Sequence, residues 1–330
     1  MSVTSPQLSS GRPLTPPSGN VARRKLVNRV MLVLCVLAAT LAISILGLVL
    51  FFLLSKGFSS LHLRLFTQLP DNVDTSKGGM SQSVFGTIIL LGLSCVIGLP
   101  LGILGWIYQL EAHGRFASLV RFFTDVLNGI PSIVIGIFAY AAVVYPAAQR
   151  AYASGGPAGG YSAYAGGFAL GILMVPTVMR TTEEILRLVP QSLREASLGL
   201  GATRWRTMWS VVLPAAKGGI ITGIMLALAR IAGETAPLLF TIFGNEIFAT
   251  HAQRIGVRHH GHFSGVIVHK VPTLNGAIDA LPLRIYKYSQ DADLNHNAQA
   301  WAGAVVLITL ILILSIAARF ATRGNVMEEK

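Results

Sequence analysis

The chain has 330 residues, of which 52% are hydrophobic and only 12% are charged. Ordinary soluble domains contain about 25% charged residues, so the composition excludes a typical soluble domain and predicts a membrane protein. The formal net charge is +12, but no basic cluster with interleaved aromatic residues stands apart from the apolar segments. Nucleic acid is therefore not expected as a partner.

The two cysteines, Cys35 and Cys95, both fall inside apolar segments and show no metal-ligand spacing. We expect them to be small buried apolar residues. Nothing in their positions indicates a disulfide or a redox compartment.

Residues 1–29 are rich in proline, serine and threonine and end in a basic cluster. We expect a disordered basic cytoplasmic tail here. The apolar span 30–54 that follows is long enough to cross ~30 Å of hydrocarbon. A signal peptide is the alternative, but its apolar region normally has about 7 to 15 residues and no convincing cleavage site follows. An uncleaved first transmembrane helix is favoured.

Five further apolar spans give six predicted transmembrane helices and an all-α membrane protein. These spans cover residues 84–108, 122–145, 163–179, 218–243 and 300–318. With the N-terminus inside, sixteen lysines and arginines fall on the cytoplasmic side and nine on the outer side. The positive-inside rule therefore predicts that both termini are cytoplasmic. The connections predicted outside are 55–81, 146–162 and 244–299, and residues 322–330 form a second cytoplasmic tail.

The charged segment 183–216 lies on the predicted cytoplasmic side and begins with a short helical pattern. Pro190 ends the helix before it, and Ser192 followed by Glu195 matches a capping box that starts the next helix. Gly201 is expected to end that helix in the left-handed conformation.

A second amphipathic helix is predicted after Gly201. Its apolar face consists of Trp205, Met208, Trp209 and Val212 at helical spacing, and Pro214 is expected to interrupt it. The segment therefore contains two short helices that meet at a glycine between two membrane spans.

The fifth span carries two ionisable residues, Arg230 and Glu234, four positions apart. On one helix they would face the same side and could neutralise each other. Each ionisable group in a span costs about 2.5–3.5 kcal/mol, so the pair either makes its own burial tolerable or serves a function, and function is favoured. Pro237 removes the hydrogen bond to the carbonyl of Gly233 and is expected to bend the helix there.

Two other positions are candidates for a path through the membrane. Arg180 is either a positive-inside anchor or part of such a path. Pro131 either starts a half-helix at Ser132 whose free amides point at an anion, or kinks a helix without binding a ligand. Asp125 is expected to be a structural partner near the interface, because a carboxylate would repel an anion.

Motifs of common enzymes are missing from the sequence. No lysine follows a glycine, so there is no Walker A motif, and neither HExxH nor GxSxG occurs. We therefore expect no catalytic residues, no metal site and no cofactor on this chain, and any ATP hydrolysis must occur on another polypeptide.

The charged segment and the fifth span carry a family resemblance. Glu195-Ala196-Ser197, Gly201, and the pair Leu213-Pro214 resemble the EAA loop of bacterial ABC importer permeases, from which only Ser197 and Val211 depart. The string RIAGETAP at 230–237, together with PSIV at 131–134 and RTTE at 180–183, resembles the phosphate-specific, PstA-type branch. The resemblance covers roughly residues 80–243 and the last span.

The resemblance implies a type I ABC importer permease fold over 82–321, with the cytoplasmic coupling loop at 183–216. It implies coupling to an ATPase through Glu195, Ala196, Gly201, Leu213 and Pro214. The substrate path would include Arg230, Glu234, Arg180 and Ser132. The implied partners are a second related permease, two ATPase subunits that bind ATP and magnesium, a periplasmic phosphate-binding protein and the lipid of the bacterial inner membrane.

The outer segment 244–299 is longer than the family leads us to expect, and residues 250–275 resemble an insertion. This piece contains five histidines, namely His251, His259, His260, His262 and His269. It is either a metal site or a solvated polar loop. Because it lacks cysteines or carboxylates at ligand spacing, the loop is favoured.

The resemblance leaves two alternatives to a phosphate permease. The chain could be a membrane signalling or scaffold subunit that senses phosphate, although a scaffold does not need a charged pair at membrane depth. It could also be an ABC permease for another oxyanion such as molybdate or sulfate, because arginine binds any oxyanion.

Overall fold

The computed structural model describes residues 18–71, 74–111, 114–154, 159–245, 253–259, 262–268 and 274–323. The beginning of the predicted N-terminal tail, the end of the predicted C-terminal tail, and His251, His260 and His269 lie outside the described residues. The chain forms two compact units, which divide after Leu54.

The first unit is dominated by one long helix, α1 (Ser18–Ser59), which continues into the start of the second unit. It begins twelve residues before the predicted span, so the basic residues 23–29 are helical where a disordered tail was expected. Because neither glycine nor proline occurs from 20 to 46, nothing in the sequence ends the helix between the basic and apolar parts. Cys35, expected to be buried, is exposed, and Cys95 is only partly buried.

The second unit contains the other helices and one hairpin. In chain order the helices are α2 (Arg64–Thr67), α3 (Ser81–Glu111), α4 (Arg115–Gly129), α5 (Ser132–Ala139), α6 (Tyr145–Ala153), α7 (Ala163–Arg187), α8 (Gln191–Gly199), α9 (Arg204–Thr207), α10 (Leu213–Ala232), α11 (Ala236–Thr241), α12 (Leu281–Ser289) and α13 (Leu294–Arg323). The strands are β1 (Gln253–His259) and β2 (His262–Val268). Two π-helical turns, Tyr140–Val144 and Met208–Val212, join α5 to α6 and α9 to α10.

Six helices of the described chain are long and apolar enough to cross a membrane, which confirms the predicted number. They are Arg23–Ser59, Ser81–Gln109, Ser132–Ala153, Ala163–Arg187, Arg204–Ala232 and Leu294–Phe320. Two differ clearly from the prediction. The third begins at Ser132 instead of 122, because α4 is a separate helix, and the fifth covers Arg204–Ala232 instead of 218–243.

Both π-helical turns occur just before a proline. In the second, the N–H of Leu213 bonds to the carbonyl of Met208, five residues back, and Pro214 follows. The wider turn leaves room for a proline ring that would clash with the carbonyl four residues back in a regular α-helix. Pro214 therefore lies inside a continuous helical rod over 204–232, and the prediction that it interrupts a helix is wrong.

The centre of the second unit is the contact between α3 and α7. Gly98 and Gly102 of α3 face Met174 and Val178 of α7 so closely that a Cβ on either glycine would lie 2.7 Å from the facing Cβ. Small residues allow this approach between membrane helices, where packing rather than water exclusion drives association. Met174 and Val178 are fully buried in the main apolar cluster, which also includes residues from α5, α10 and α11.

The piece expected to be a solvated polar loop contains an antiparallel hairpin. In its register Gln253 pairs with Val268 and His259 pairs with His262. β-branched residues occur in both strands, at 255 and 257 in β1 and at 266–268 in β2, and such residues favour extended structure. The loop prediction is wrong for 253–259 and 262–268, and the fold is nearly but not entirely helical. The described residues contain no group of three or more histidines, cysteines or carboxylates that could hold a metal ion.

Candidate functional site

The helix that carries Arg230 ends just after it. α10 stops at Ala232, and the N–H groups of Gly233 and Glu234 bond to carbonyls three residues back, those of Arg230 and Ile231. A new short helix, α11, starts at Ala236 with Pro237 in its first turn, where proline is well tolerated. The bend predicted at this point is therefore a complete break in the helix.

The break separates the two charged residues of the fifth span. Glu234 lies beyond the end of α10, and within the described residues no ion pair joins it to Arg230. Instead, Nη1 of Arg230 donates a hydrogen bond of 3.2 Å to Oγ1 of Thr177 on α7. The prediction that Arg230 and Glu234 share a helix face and neutralise each other is wrong.

Thr177 places the Arg230 head group at membrane depth. This threonine lies near the middle of α7, a membrane-length helix of 25 residues. Arg230 is exposed on the surface of the single chain. Since a charged side chain facing lipid is costly, at about 2.5–3.5 kcal/mol, this part of the surface must face water or another protein.

Pro131 starts a new helix, but this helix continues as the membrane-length segment Ser132–Ala153, so the predicted half-helix is wrong in its length. Pro131 is the N-cap residue of α5, with φ −58° and ψ 137°, and Ser132 is its first helical residue. Gly136 of α5 packs on Pro237 of α11 so tightly that a Cβ on Gly136 would lie 2.6 Å from the Cα of Pro237. The chain segments around Pro131 and Pro237, which both carry the family resemblance, are therefore in contact. Among the described residues, no hydrogen bond joins Ser132 to Arg230.

Arg180 lies on the same side of α7 as the Arg230 contact. It follows Thr177 by three residues, which places both on one helix face. Its Nε atom is 3.9 Å from Oε1 of Glu184, and its side chain is 66% exposed. Arg230, Thr177 and Arg180 therefore form a polar track along α7.

The predicted coupling loop has a defined turn at Gly201. Its φ of +84° confirms the left-handed conformation. The N–H of Gly201 bonds to the carbonyl of Leu198, and the N–H of Ala202 bonds to that of Ser197, which is the Schellman pattern of a helix end. The predicted capping box of Ser192 and Glu195 is wrong, because α8 starts at Gln191 after the N-cap Pro190 and no side chain caps it.

Part of the predicted coupling loop is held by a hydrogen bond and an apolar cluster, and the rest of its surface is exposed. Ser197 and Thr207 share a hydrogen bond of 2.9 Å that ties α8 to α9. The buried anchor of the loop is an apolar cluster of residues from α3, α7 and the rod 204–232, including Trp106, Leu186, Met208 and Val212. Leu213 is partly buried, whereas Glu195, Ala196 and Pro214 are exposed. This surface is available to another protein.

A buried polar cluster was missed by the sequence analysis. Asp279 and Arg284 are 0% exposed, and Nε and Nη2 of Arg284 both lie 2.7 Å from Oδ2 of Asp279. Ser83 of α3 donates to the same oxygen at 2.5 Å. The available signal was the pair of opposite charges in the otherwise apolar run 278–285, but Ser83, which also bonds to Asp279, is distant in sequence.

Known proteins share this sequence and fold. The family described as binding-protein-dependent transport system inner membrane component matches residues 98–256. The phosphate transport system permease protein PstA of Pasteurella multocida is 37% identical, covering 90% of this chain and 94% of that relative. The PstA protein of Yersinia pestis is 38% identical, covering 90% of both.

The fold also occurs in a solved structure. The inward-facing MetNI methionine ABC transporter contains a chain that aligns with a TM-score of 0.50 and 19% identity, covering 74% of this chain and 96% of that one. This confirms the predicted type I ABC importer permease fold. With relatives of this identity along nearly its whole length, the chain belongs to the family of PstA-type permeases of binding-protein-dependent transport systems.

Proposed function

We propose that this chain is a permease subunit of an ATP-driven importer of inorganic phosphate in the bacterial inner membrane. Its relatives carry the name phosphate transport system permease, and its fold is that of an ABC importer permease. The chain is not itself an enzyme in this proposal. ATP and magnesium are bound by two separate ATPase subunits, and a periplasmic phosphate-binding protein delivers the substrate.

The observation that carries the proposal is the state of Arg230. Its guanidinium is held at membrane depth by a neutral hydroxyl, and within the described residues no carboxylate pairs with it. One of its donors is used by Thr177, and the others remain for a ligand. A guanidinium matches the geometry of a phosphate oxyanion and offsets the cost of removing it from water.

The fold gives a direct mechanical route from the coupling loop to Arg230. The helical rod 204–232 begins at the coupling loop and ends two residues after Arg230. When the ATPase subunits close, a displacement of the loop surface around Glu195 and Ala196 is passed along this rod. The break at Gly233 and the start of α5 at Pro131 are the points where the path can change shape, as broken helices do in other transporters.

The exposure of Arg230 also supports a second permease. An exposed arginine at this depth needs water or protein beside it, and a related subunit facing it would enclose the path for alternating access. In this arrangement the coupling loop and both termini are cytoplasmic, and α12 lies on the periplasmic side.

The test is phosphate uptake in cells that lack this chain and receive variants of it. Arg230→Gln should abolish uptake while the complex still assembles, and Arg230→Lys should retain little activity because it restores the charge but not the planar fork. Glu234→Gln, on the other side of the break, tests in the same assay whether this second residue of the predicted substrate path is needed for uptake. Normal uptake with Arg230→Gln would refute the substrate role.

The same assay separates the alternatives. A scaffold or sensor would leave phosphate uptake intact when the chain is deleted. A permease for another oxyanion would restore uptake of labelled molybdate or sulfate instead of phosphate.

A further inference from the structure

Helix α4 has no buried residue in the single chain. Its aromatic residues are largely exposed: Phe116 is 61% exposed, Phe122 60% and Phe123 56%. Its polar residues Arg121 and Asp125 follow another side of the helix, which faces a space beside α7. A helix placed in the interfacial region of a membrane directs its apolar side to lipid, and the polar side of α4 would then face the space beside α7.

That space is an open cavity of about 320 Å³ between the C-terminal parts of α3, α4 and α7. It is lined by polar groups from all three helices, including Gln109, Arg121, Asn128, Arg180 and Arg187.

The cations of the cavity differ in how they are engaged. Arg187 is paired with Glu183 across one helical turn, and Arg180 has only a loose contact of 3.9 Å with Glu184. Within the described part of the chain, Arg121 has neither an ion pair nor a hydrogen bond through its side chain. Arg121 and Arg180 are therefore the guanidinium groups of the cavity wall that, among the described residues, no carboxylate holds at close range.

The polar track on α7 leads into this cavity. Arg230 contacts Thr177, Arg180 follows on the same face, and Arg180 is part of the cavity wall. An anion leaving Arg230 along α7 thus meets Arg180 next and Arg121 on the facing helix after it.

We propose that this cavity is an oxyanion-binding site at which inorganic phosphate pauses between Arg230 and the cytoplasm. The carboxylates Asp125, Glu183 and Glu184 also line it, and they keep the affinity low. A site on a transport path must bind well enough to be entered and weakly enough to be left. The inference rests on the proposed function for the direction of flow, but the binding itself does not depend on Arg230.

The test uses the assembled complex in membrane vesicles with the coupling-loop side exposed. Cys35 and Cys95 are replaced by alanine, and Asn128→Cys places a thiol in the cavity. The rate of modification by a water-soluble thiol reagent is measured without ATP, at increasing concentrations of inorganic phosphate. We expect phosphate to slow the modification several-fold, and equal concentrations of chloride to have no such effect.

Three further variants identify the site. Arg121→Gln should raise the half-protecting phosphate concentration about tenfold, whereas Arg115→Gln, on the same helix but outside the cavity wall, should leave it unchanged. Arg230→Gln should keep the protection although uptake is lost, which separates this inference from the proposed function. The same protection measurement with sulfate in place of phosphate distinguishes a general oxyanion site from one that prefers phosphate.

Three results would overturn the proposal. The thiol at position 128 does not react in the assembled complex, chloride protects it as strongly as phosphate does, or Arg121→Gln does not weaken the protection by phosphate.

Discussion

Two arginines of this chain differ in their burial and in the charge of their hydrogen-bond partner. Arg284 is fully buried, and its guanidinium is bonded to Asp279, whose carboxylate also accepts a hydrogen bond from Ser83. Arg230 is exposed at membrane depth, and its hydrogen-bond partner among the described residues is the neutral hydroxyl of Thr177. We refer to the first group, Ser83, Asp279 and Arg284, as the buried lock, and to the second pair as the Arg230 site.

This difference distinguishes a charge that stabilises the fold from a charge that the fold leaves available to a ligand. A buried charge requires its partner, because an uncompensated one costs several kcal/mol. A charge that the fold leaves without a counter-ion does little for stability, so its retention at membrane depth points to a ligand. Changes in the buried lock should therefore reduce assembly, and changes around the Arg230 site should reduce transport.

The largest effect is expected from breaking the buried lock. Arg284→Gln leaves the carboxylate of Asp279 buried without its cation, which should destabilise the protein by about 3–5 kcal/mol. The measurement is the yield of assembled complex and its thermal unfolding temperature, with Arg230→Gln as the matched arginine variant. The double change Asp279→Asn with Arg284→Gln should recover part of the yield. If Arg284→Gln assembles as well as Arg230→Gln, the distinction between the two arginines fails.

A smaller effect is expected where α5 meets α11. Gly136→Val places methyl groups against Pro237, and overpacking of this kind costs about 1–3 kcal/mol. Since α11 follows directly after the break at Gly233, we expect uptake to fall more than complex yield. Gly92→Val is the control, because a Cβ at Gly92 meets nothing within 4 Å. Equal loss of uptake and yield would mean that the contact only stabilises the fold.

Local signals in the sequence were enough to predict part of this molecule. Six apolar spans, the start of a helix after Pro131 and the left-handed Gly201 follow from composition and from backbone limits of single residues. The partner of Arg230 could not be predicted in this way. In an unbroken helix Arg230 would pair with Glu234. The helix instead ends at Ala232, and the guanidinium of Arg230 contacts Thr177, more than fifty residues earlier in the chain.

Two other errors have a similar cause. Apolar residues in α4 were assigned to the third span, because hydropathy does not show where one helix ends and the next begins. The buried lock depends on Ser83 meeting Asp279 across nearly two hundred residues, which no spacing rule contains. The sequence thus predicted elements and candidate residues, whereas tertiary packing decided which residues meet.

The coupling loop extends the comparison to a third region. Gly201→Leu places a side chain at φ +84°, a conformation that costs non-glycine residues about 1–2 kcal/mol. The loop surface should lose its shape while the rod 204–232 and the buried lock remain, so we expect ATP-driven uptake to fall with little change in yield. Gly199→Leu is the control, because this glycine ends α8 with helical geometry and open space around it. Full uptake with Gly201→Leu would show that the turn is not needed for coupling.

The smallest effect on stability is expected from the pair of Asp291 and His296, which lies beside the buried lock. Nδ1 of His296 lies 2.6 Å from Oδ2 of Asp291, and its ring stacks on Tyr288, over which Arg284 also lies. The hydrogen bond with His296 holds the pKa of Asp291 below its ordinary value of 3.8. A lowered pKa means that this carboxylate contributes stability above pH 3.8 and that the contribution is lost as the pH falls through the folded-state pKa.

We therefore expect Asp291→Asn to lower the unfolding temperature of the purified protein slightly at neutral pH, and expect the difference from wild type to shrink below pH 3.8. His296→Gln, whose amide can still donate to the carboxylate, should retain more of the stabilisation. Because the pair lies on the side of the buried lock, phosphate uptake at neutral pH should not change in either variant. A difference that is constant across this pH range would show that the carboxylate does not supply the stability, and a loss of uptake without a loss of stability would place this end of the molecule in the transport path.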